Sequence, residues 1–230
     1  MNSIQDLINL SRPPIAIAFL DSVPDKIDAW DGGPVPAGCL FWKKAQEGRT
    51  FYTIPSDHYN CAIGAHTHQI PLPPERAPEL PGTVGFMVTN GYISMEEVPG
   101  IPTLRATPAA IAYGPAEGAA FEPSVILLAA EPAAAMLLYE AALRASAGTG
   151  LMPSLGRPGC AVLPLTVNQN SASLSLGCAG NRTFTGLPAS EMYVCIPAAM
   201  WPDVVERTTT VIGANKAMQQ HYDGHKAKFE

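Results

Sequence analysis

Apolar residues in this chain fall into short blocks whose period changes along the sequence. Ile15-Ala-Ile-Ala-Phe-Leu20 is continuous, β-branched in part and closed by Asp21, which predicts a buried strand. Cys39–Glu47 reads as a helix, with Gly48 placed to end it. Thr50–Ile54 predicts a short strand, and a Pro-rich segment, Pro71–Pro81, separates it from the β-formers Thr83–Thr89, read as another strand. Leu104–Tyr113 adds a further strand despite Pro108. In the second half Val125–Ala129 predicts a strand. Pro132 suits a first helical turn, and the helix formers Ala133–Ala145 follow it until Gly148. Ser171–Leu176 alternates Ala172, Leu174 and Leu176 with serines, the strand period of two, and Glu191–Ile196 gives one more strand. Two amphipathic segments, Pro197–Ala214 and Asn215–Phe229, predict closing helices.

The order of these elements repeats. The first half runs strand, Gly38-Cys39, short helix, strand, Cys61-Ala-Ile-Gly64; the second runs strand, helix, Gly159-Cys160, apolar segment, strand, Cys178-Ala-Gly180. The two cysteines are 22 residues apart in the first half and 18 in the second. An Ile-Pro pair recurs as well, Ile101-Pro102 and Ile196-Pro197, each with a glutamate five residues before the isoleucine (Glu96 and Glu191). The expected fold is therefore α/β (or α+β), one compact domain over 1–230 with an internal duplication, 12–115 and 122–200. Two weakly related strand–helix–strand halves would sit about a pseudo-twofold, close with C-terminal helices and leave ligand space between them.

Composition narrows the partners. Only 15% of residues are charged, against about 25% in an average domain. The net charge is −6 and no Lys/Arg run offers a phosphate footprint, so nucleic acid is not expected. The longest apolar tract, Val125–Leu143, is interrupted by Glu131, Pro132 and Glu140, short of the about 20 residues a bilayer span needs, so no membrane partner is expected. Low charge with 47% apolar residues predicts an apolar surface patch, hence a homodimer. Met1–Asp6 lacks the basic stretch of a secretory signal and the five cysteines suit reduced thiols, so the expected compartment is cytoplasmic.

The cysteines dominate the candidate chemistry. Cys39, Cys61, Cys160 and Cys178 each sit at an element boundary beside a glycine or a turn-former. Thiolates so placed are ligands for soft metals or an iron–sulfur cluster, or nucleophiles. Free cysteine is also among the most buried residue types, so packing competes with both readings. No Cys-x-x-Cys pair is present, which argues against zinc ribbons and ferredoxin-like runs. Cys195, within Tyr193-Val-Cys-Ile196, reads as core. His58, His66 and His68 flank Cys61 and would suit a mixed Cys/His site, against a polar loop before a proline turn. Arg182, four residues beyond Cys178, is a candidate for holding a carboxylate or phosphate, as are Lys43 and Lys44 with less force. Glu96, Glu97 and Glu191 are weaker acid/base candidates. Dinucleotide fingerprints, Walker A loops, Gly-x-Ser-x-Gly elbows and His-Glu-x-x-His are all missing.

The motifs Arg12-Pro13-Pro14-Ile15-Ala16, Gly38-Cys39 with Trp42 and Ala45-x-x-Gly48, Cys61-x-x-Gly64, Pro158-Gly159-Cys160 and Ser175-Leu-Gly-Cys-x-Gly-x-Arg182 resemble the uncharacterised family called domain of unknown function 169, or ArCR. The resemblance runs from about residue 3 to 228 and carries no activity with it. The leading functional expectation is an iron–sulfur or soft-metal protein that binds or acts on a small anionic molecule, with Cys39, Cys61, Cys160 and Cys178 as ligands and Arg182 beside them. Two alternatives stand next to it. One is a metal-free small-molecule binding module whose cleft is lined by Trp42, Phe51, Tyr52 and Phe184; the other is a thiol-redox protein.

Overall fold

The computed structural model describes residues 3–146 and 158–229. In chain order the elements are α1 (Ile4–Leu7), β1 (Ile15–Leu20), α2 (Cys39–Gln46), β2 (Phe51–Thr53), α3 (Ala62–Thr67), α4 (Glu79–Thr89), β3 (Ala110–Pro115), β4 (Val125–Ala130), α5 (Pro132–Ala145), α6 (Val162–Gln169), β5 (Ser173–Ser175), α7 (Ala179–Thr185), β6 (Met192–Pro197) and α8 (Trp201–Lys226). The strands form one six-stranded sheet in the order β2-β3-β1-β4-β6-β5, every pair antiparallel.

Both faces of this sheet are covered, which is why its central strands read as continuous apolar runs instead of alternating ones. On one face Ile15, Ile17, Tyr113, Leu127 and Tyr193 pack with Phe41 and Trp42 of α2, Ala65 of α3 and Leu163 of α6. On the other, Ala16, Ile126, Leu128 and Ile196 pack with Leu138 of α5 and Val204 and Val211 of α8. The fold class expected from the sequence, a mixed α/β chain closed by C-terminal helix, is what the structure has. From the centre outward, the strands run β1, β3, β2 on one side and β4, β6, β5 on the other, the same connectivity twice. β1 and β4 meet antiparallel at the middle, with Ile15 opposite Leu127 and Ile17 opposite Val125.

Two elements differ from the sequence expectation. Thr83–Thr89 is the end of helix α4, not a strand. Prolines at 78 and 81 preset helical φ in the first turn, where no backbone N–H is needed, and both sheet edges lie elsewhere. The closing segment is one 26-residue helix, α8, not two. Asn215, expected to start a second helix, donates from Nδ2 to the Val211 carbonyl one turn back and to Glu140 on α5, so it continues the helix instead of capping a new one. The expected break at Gly148 lies outside the described residues.

Candidate functional site: a cavity walled by four cysteines

Each of the four boundary cysteines opens or precedes a helix on the same face of the sheet. Cys39 is the first residue of α2. Cys61 caps α3, its Sγ accepting from the Gly64 N–H at 3.3 Å, and Cys178 caps α7 in the same way, from the Asn181 N–H at 3.4 Å. Cys160 lies in a 3-10 turn, Gly159–Ala161, leading into α6, and its Sγ accepts from the Thr67 hydroxyl at 3.4 Å. All four line a single cavity of about 850 Å³. Two come from the first half of the chain and two from the second, so the thiols are not segregated by half.

Glycine makes room for this wall. A Cβ at Gly38 would stand 2.6 Å from His58 Nδ1, so only glycine lets the start of α2 lie against that ring. Gly177 has φ of +75° and would place a Cβ 3.1 Å from Asn181 Oδ1, so the turn into Cys178 needs glycine for its backbone as well as its space.

Burial sets the electrostatics. It pushes the Cys39 thiol up to about 12, with nearby Cys61 adding to the shift, and raises Cys61 as well. Cys160 is raised further, by burial first and then by Cys61, Cys178 and Cys39. The same burial lowers His58 to about 3, with His68 contributing, and lowers His68. His58 Nε2 lies 2.8 Å from the Thr53 hydroxyl, and His68 Nδ1 donates to the Gly64 carbonyl at 2.7 Å. The two rings are 5.9 Å apart and both line the cavity. His66 does not line it.

The other predicted residues fall elsewhere. Arg182 spends its guanidinium on backbone: Nε and Nη2 donate to the Leu176 carbonyl, Nη1 to Pro188 and Nη2 to Glu191. It fastens the turn around Cys178 and is absent from the cavity lining. Lys44 pairs with Glu47 at 2.8 Å, and among the described residues no lysine or arginine lines the cavity. The carboxylates there are Glu79 and Glu97. Glu191 is buried outside it, where it accepts from the Ser11 hydroxyl. Trp42 and Phe51, expected in the cleft, are core residues, Trp42 packed edge-on against Tyr193. Tyr52 is half-buried against a separate small cluster, so of the four aromatics only Phe184 faces the cavity. Cys195 is fully buried in β6. All five cysteines are free thiols.

The roof was missed in the sequence. Phe86 and Met87 of α4 and the following Tyr92, Ile93 and Ile101 cover the thiols, and the Tyr92 hydroxyl accepts from the Ala179 N–H at 3.2 Å across the cavity. Leu80, Val84, Met87 and Val88 recur at helical spacing, the signal that outweighs the β-forming composition of 83–89.

Fold and site together define a doubly covered antiparallel sheet that carries a cysteine-walled cavity on one face. The chain belongs to the domain of unknown function 169 family, described as uncharacterised ArCR, whose family profile matches residues 3–207. It is also similar to the uncharacterised protein MJ0308 of Methanocaldococcus jannaschii, 24% identical over 213 residues, covering 88% of this chain and 89% of that protein. No solved structure matches it.

Proposed function

We propose that the cavity holds an iron–sulfur cluster or another soft-metal centre on Cys39, Cys61, Cys160 and Cys178, with space above it for a small molecule. The carrying observation is that four thiols distant in sequence line one cavity. Three of their sulfurs already accept hydrogen bonds from backbone or hydroxyl donors, contacts of the kind that tune thiolate ligands. Empty, the Cys39, Cys61 and Cys160 thiols are held neutral by burial and mutual repulsion; a cationic centre removes both penalties and releases their protons. Among the described residues no three His, Cys, Asp or Glu side chains are grouped around a single ion. A cubane spaces its ligand sulfurs at about 6–7 Å, wider than a single tetrahedral ion does, so that finding counts against a single ion and leaves the cluster to the experiment. The anionic ligand expected from the sequence loses its support, since Arg182 is committed to carbonyls and, among the described residues, the lining carries no cation. Free thiols fit a reducing, cytoplasmic setting, and exposed Phe86, Met95 and Leu176 favour a homodimer, which light scattering reads directly.

Anaerobic purification and reconstitution, with iron and sulfide analysis and an absorption spectrum, test the centre. Wild type and Cys195→Ser should retain the same metal content, and Cys178→Ser should lose it. If wild type binds neither iron nor another soft metal, the cavity is a metal-free binding module with structural cysteines; if Cys178→Ser matches a metal-loaded wild type, the four-cysteine site is wrong.

A further inference from the structure

Residues 71–103 make an excursion from the body of the fold, and α4 is its helix. The excursion leaves and returns at adjoining points. Gln69 Nε2 donates to Thr103 Oγ1 at 2.9 Å, and the Leu104 N–H donates to the Thr67 carbonyl at 2.9 Å. Ile70 and Leu104, at the two stems, are buried at 4% and 5% exposure. Between them, among the described residues, lies the longest stretch of chain without one buried residue. Gln69 has φ of +56°, a left-handed backbone uncommon for a residue with a side chain, just past the end of α3 where a hinge can absorb rotation. Phe86, Met87, Tyr92, Ile93 and Ile101 of the excursion roof the thiol cavity. Phe86 is already 70% exposed and Met95 57%, so swinging the roof away uncovers little further apolar surface on it. The principal neighbour of α4 is α3, the helix that ends at the stem. Arg76 Nη1 donates to Asn60 Oδ1 at 3.0 Å near that stem in sequence, whereas the Ala179 N–H reaches the Tyr92 hydroxyl from the far wall.

We propose that residues 71–103 are a lid that turns as a unit about Gln69 and Thr103, opens the cavity to incoming molecules and is latched shut by Tyr92 on Ala179. A segment with no buried residue, held by two adjoining stems, opens locally at a fraction of the cost of global unfolding. The latch is one hydrogen bond to the second half of the chain, strong enough to favour the closed state and weak enough to break repeatedly. The lid governs access to Cys39, Cys61 and Cys178 whatever the cavity holds, so it goes beyond the metal centre and does not depend on it.

The test uses the metal-free full chain and two readouts, native-state amide hydrogen exchange and labelling by fluorescein maleimide, a bulky thiol reagent. In wild type the α4 amides should exchange together, with protection roughly a hundredfold or more below that of β4. Tyr92→Phe removes the latch and keeps the ring. It should speed α4 exchange by roughly threefold to tenfold, and the initial labelling rates of Cys39, Cys61 and Cys178 by the same factor. Exchange in β4 should not change, and Cys195, fully buried in β6, should stay unlabelled. Exchange of α4 in step with β4 would overturn the lid, and this wild-type comparison decides even if Tyr92→Phe fails to fold. Labelling that Tyr92→Phe leaves unchanged would mean that the thiols are reached by another path, and also overturns it. A rise in β4 exchange equal to that in α4 would show Tyr92 to be a general stabiliser and not a latch. Iron content enters none of these readouts, so a failed metal centre and a failed lid are told apart.

Discussion

Burial acts in opposite directions on two residue types of the cavity wall, and the result is the same for both: the Cys39, Cys61 and Cys160 thiols rise, the His58 and His68 imidazoles fall, and these five groups are neutral when the cavity is empty. This makes the metal-free protein sensitive to pH on both sides. His58 titrates near 3 when folded and near its ordinary value of about 6.5 when unfolded, so the unfolded chain binds the extra proton in that window. Stability should therefore be full above about pH 6.5 and fall as pH drops towards 3, by up to about 1.4 kcal/mol per pH unit for each such histidine. Urea denaturation at a series of pH values should show this acid limb, and His58→Gln should flatten it; an unchanged limb would mean that His58 charges without cost. On the alkaline side Cys39 ionises near 12 when folded but near about 8.5 when unfolded, so metal-free protein should lose stability as pH rises above about 8.5. Gly38 belongs to the same scale. Gly38→Ala would drive a methyl group into His58 and should cost about 1–3 kcal/mol, measured by chemical denaturation; a neutral substitution would show that the ring can move aside.

At the scale of elements, two short pieces of chain define the site, and they were unequally legible. The turn before α7 was visible as Gly177-Cys178 followed by Arg182, but the role of the arginine was not. Its order after a cysteine suggested an anion partner, whereas the folded loop from 176 to 191 brings the Leu176, Pro188 and Glu191 carbonyls around the guanidinium. Such carbonyls are anonymous in a sequence, because every residue has one. Arg182→Lys cannot reproduce a planar fork that reaches several acceptors, and should cost about 2 kcal/mol while leaving the cavity lining chemically unchanged. Equal stability of Arg182→Lys and wild type in urea would show that the clamp is dispensable. The roof helix α4 was illegible for a different reason. Its residues 83–89 are β-formers, yet none of its side chains is fully buried and Phe86 is 70% exposed, so neither propensity nor burial marks it as helical. Prolines 78 and 81 and the helical spacing of its apolar residues decide it locally. By contrast, the central strands β1 and β4 were plain in the sequence, because a strand buried on both faces must be apolar throughout.

At the scale of the whole molecule, the repeated connectivity places equivalent capping cysteines, Cys61 on α3 and Cys178 on α7, on one face of one sheet. Cys39 and Cys61 come from the half of the chain that forms β1, β2 and β3, and Cys160 and Cys178 from the half that forms β4, β5 and β6, so an occupant touching all four thiols ties the two halves together. Such an occupant binds only the folded chain, in which the wall exists, and stabilises it by mass action, about 4 kcal/mol at a thousandfold excess over its dissociation constant. Loading the centre by anaerobic reconstitution should therefore raise the thermal midpoint by several degrees. It should also slow amide hydrogen exchange in α3 and α7 together, although 111 residues of sequence lie between Thr67, the end of α3, and Ala179, the start of α7. Local binding predicts a different pattern. If Cys39 and Cys61 held one ion and Cys160 and Cys178 another, each half would be protected separately, and Cys178→Ser would leave α3 as protected as in wild type. Joint protection that Cys178→Ser abolishes in both helices is the outcome expected of one shared site, and protection confined to one half would exclude it.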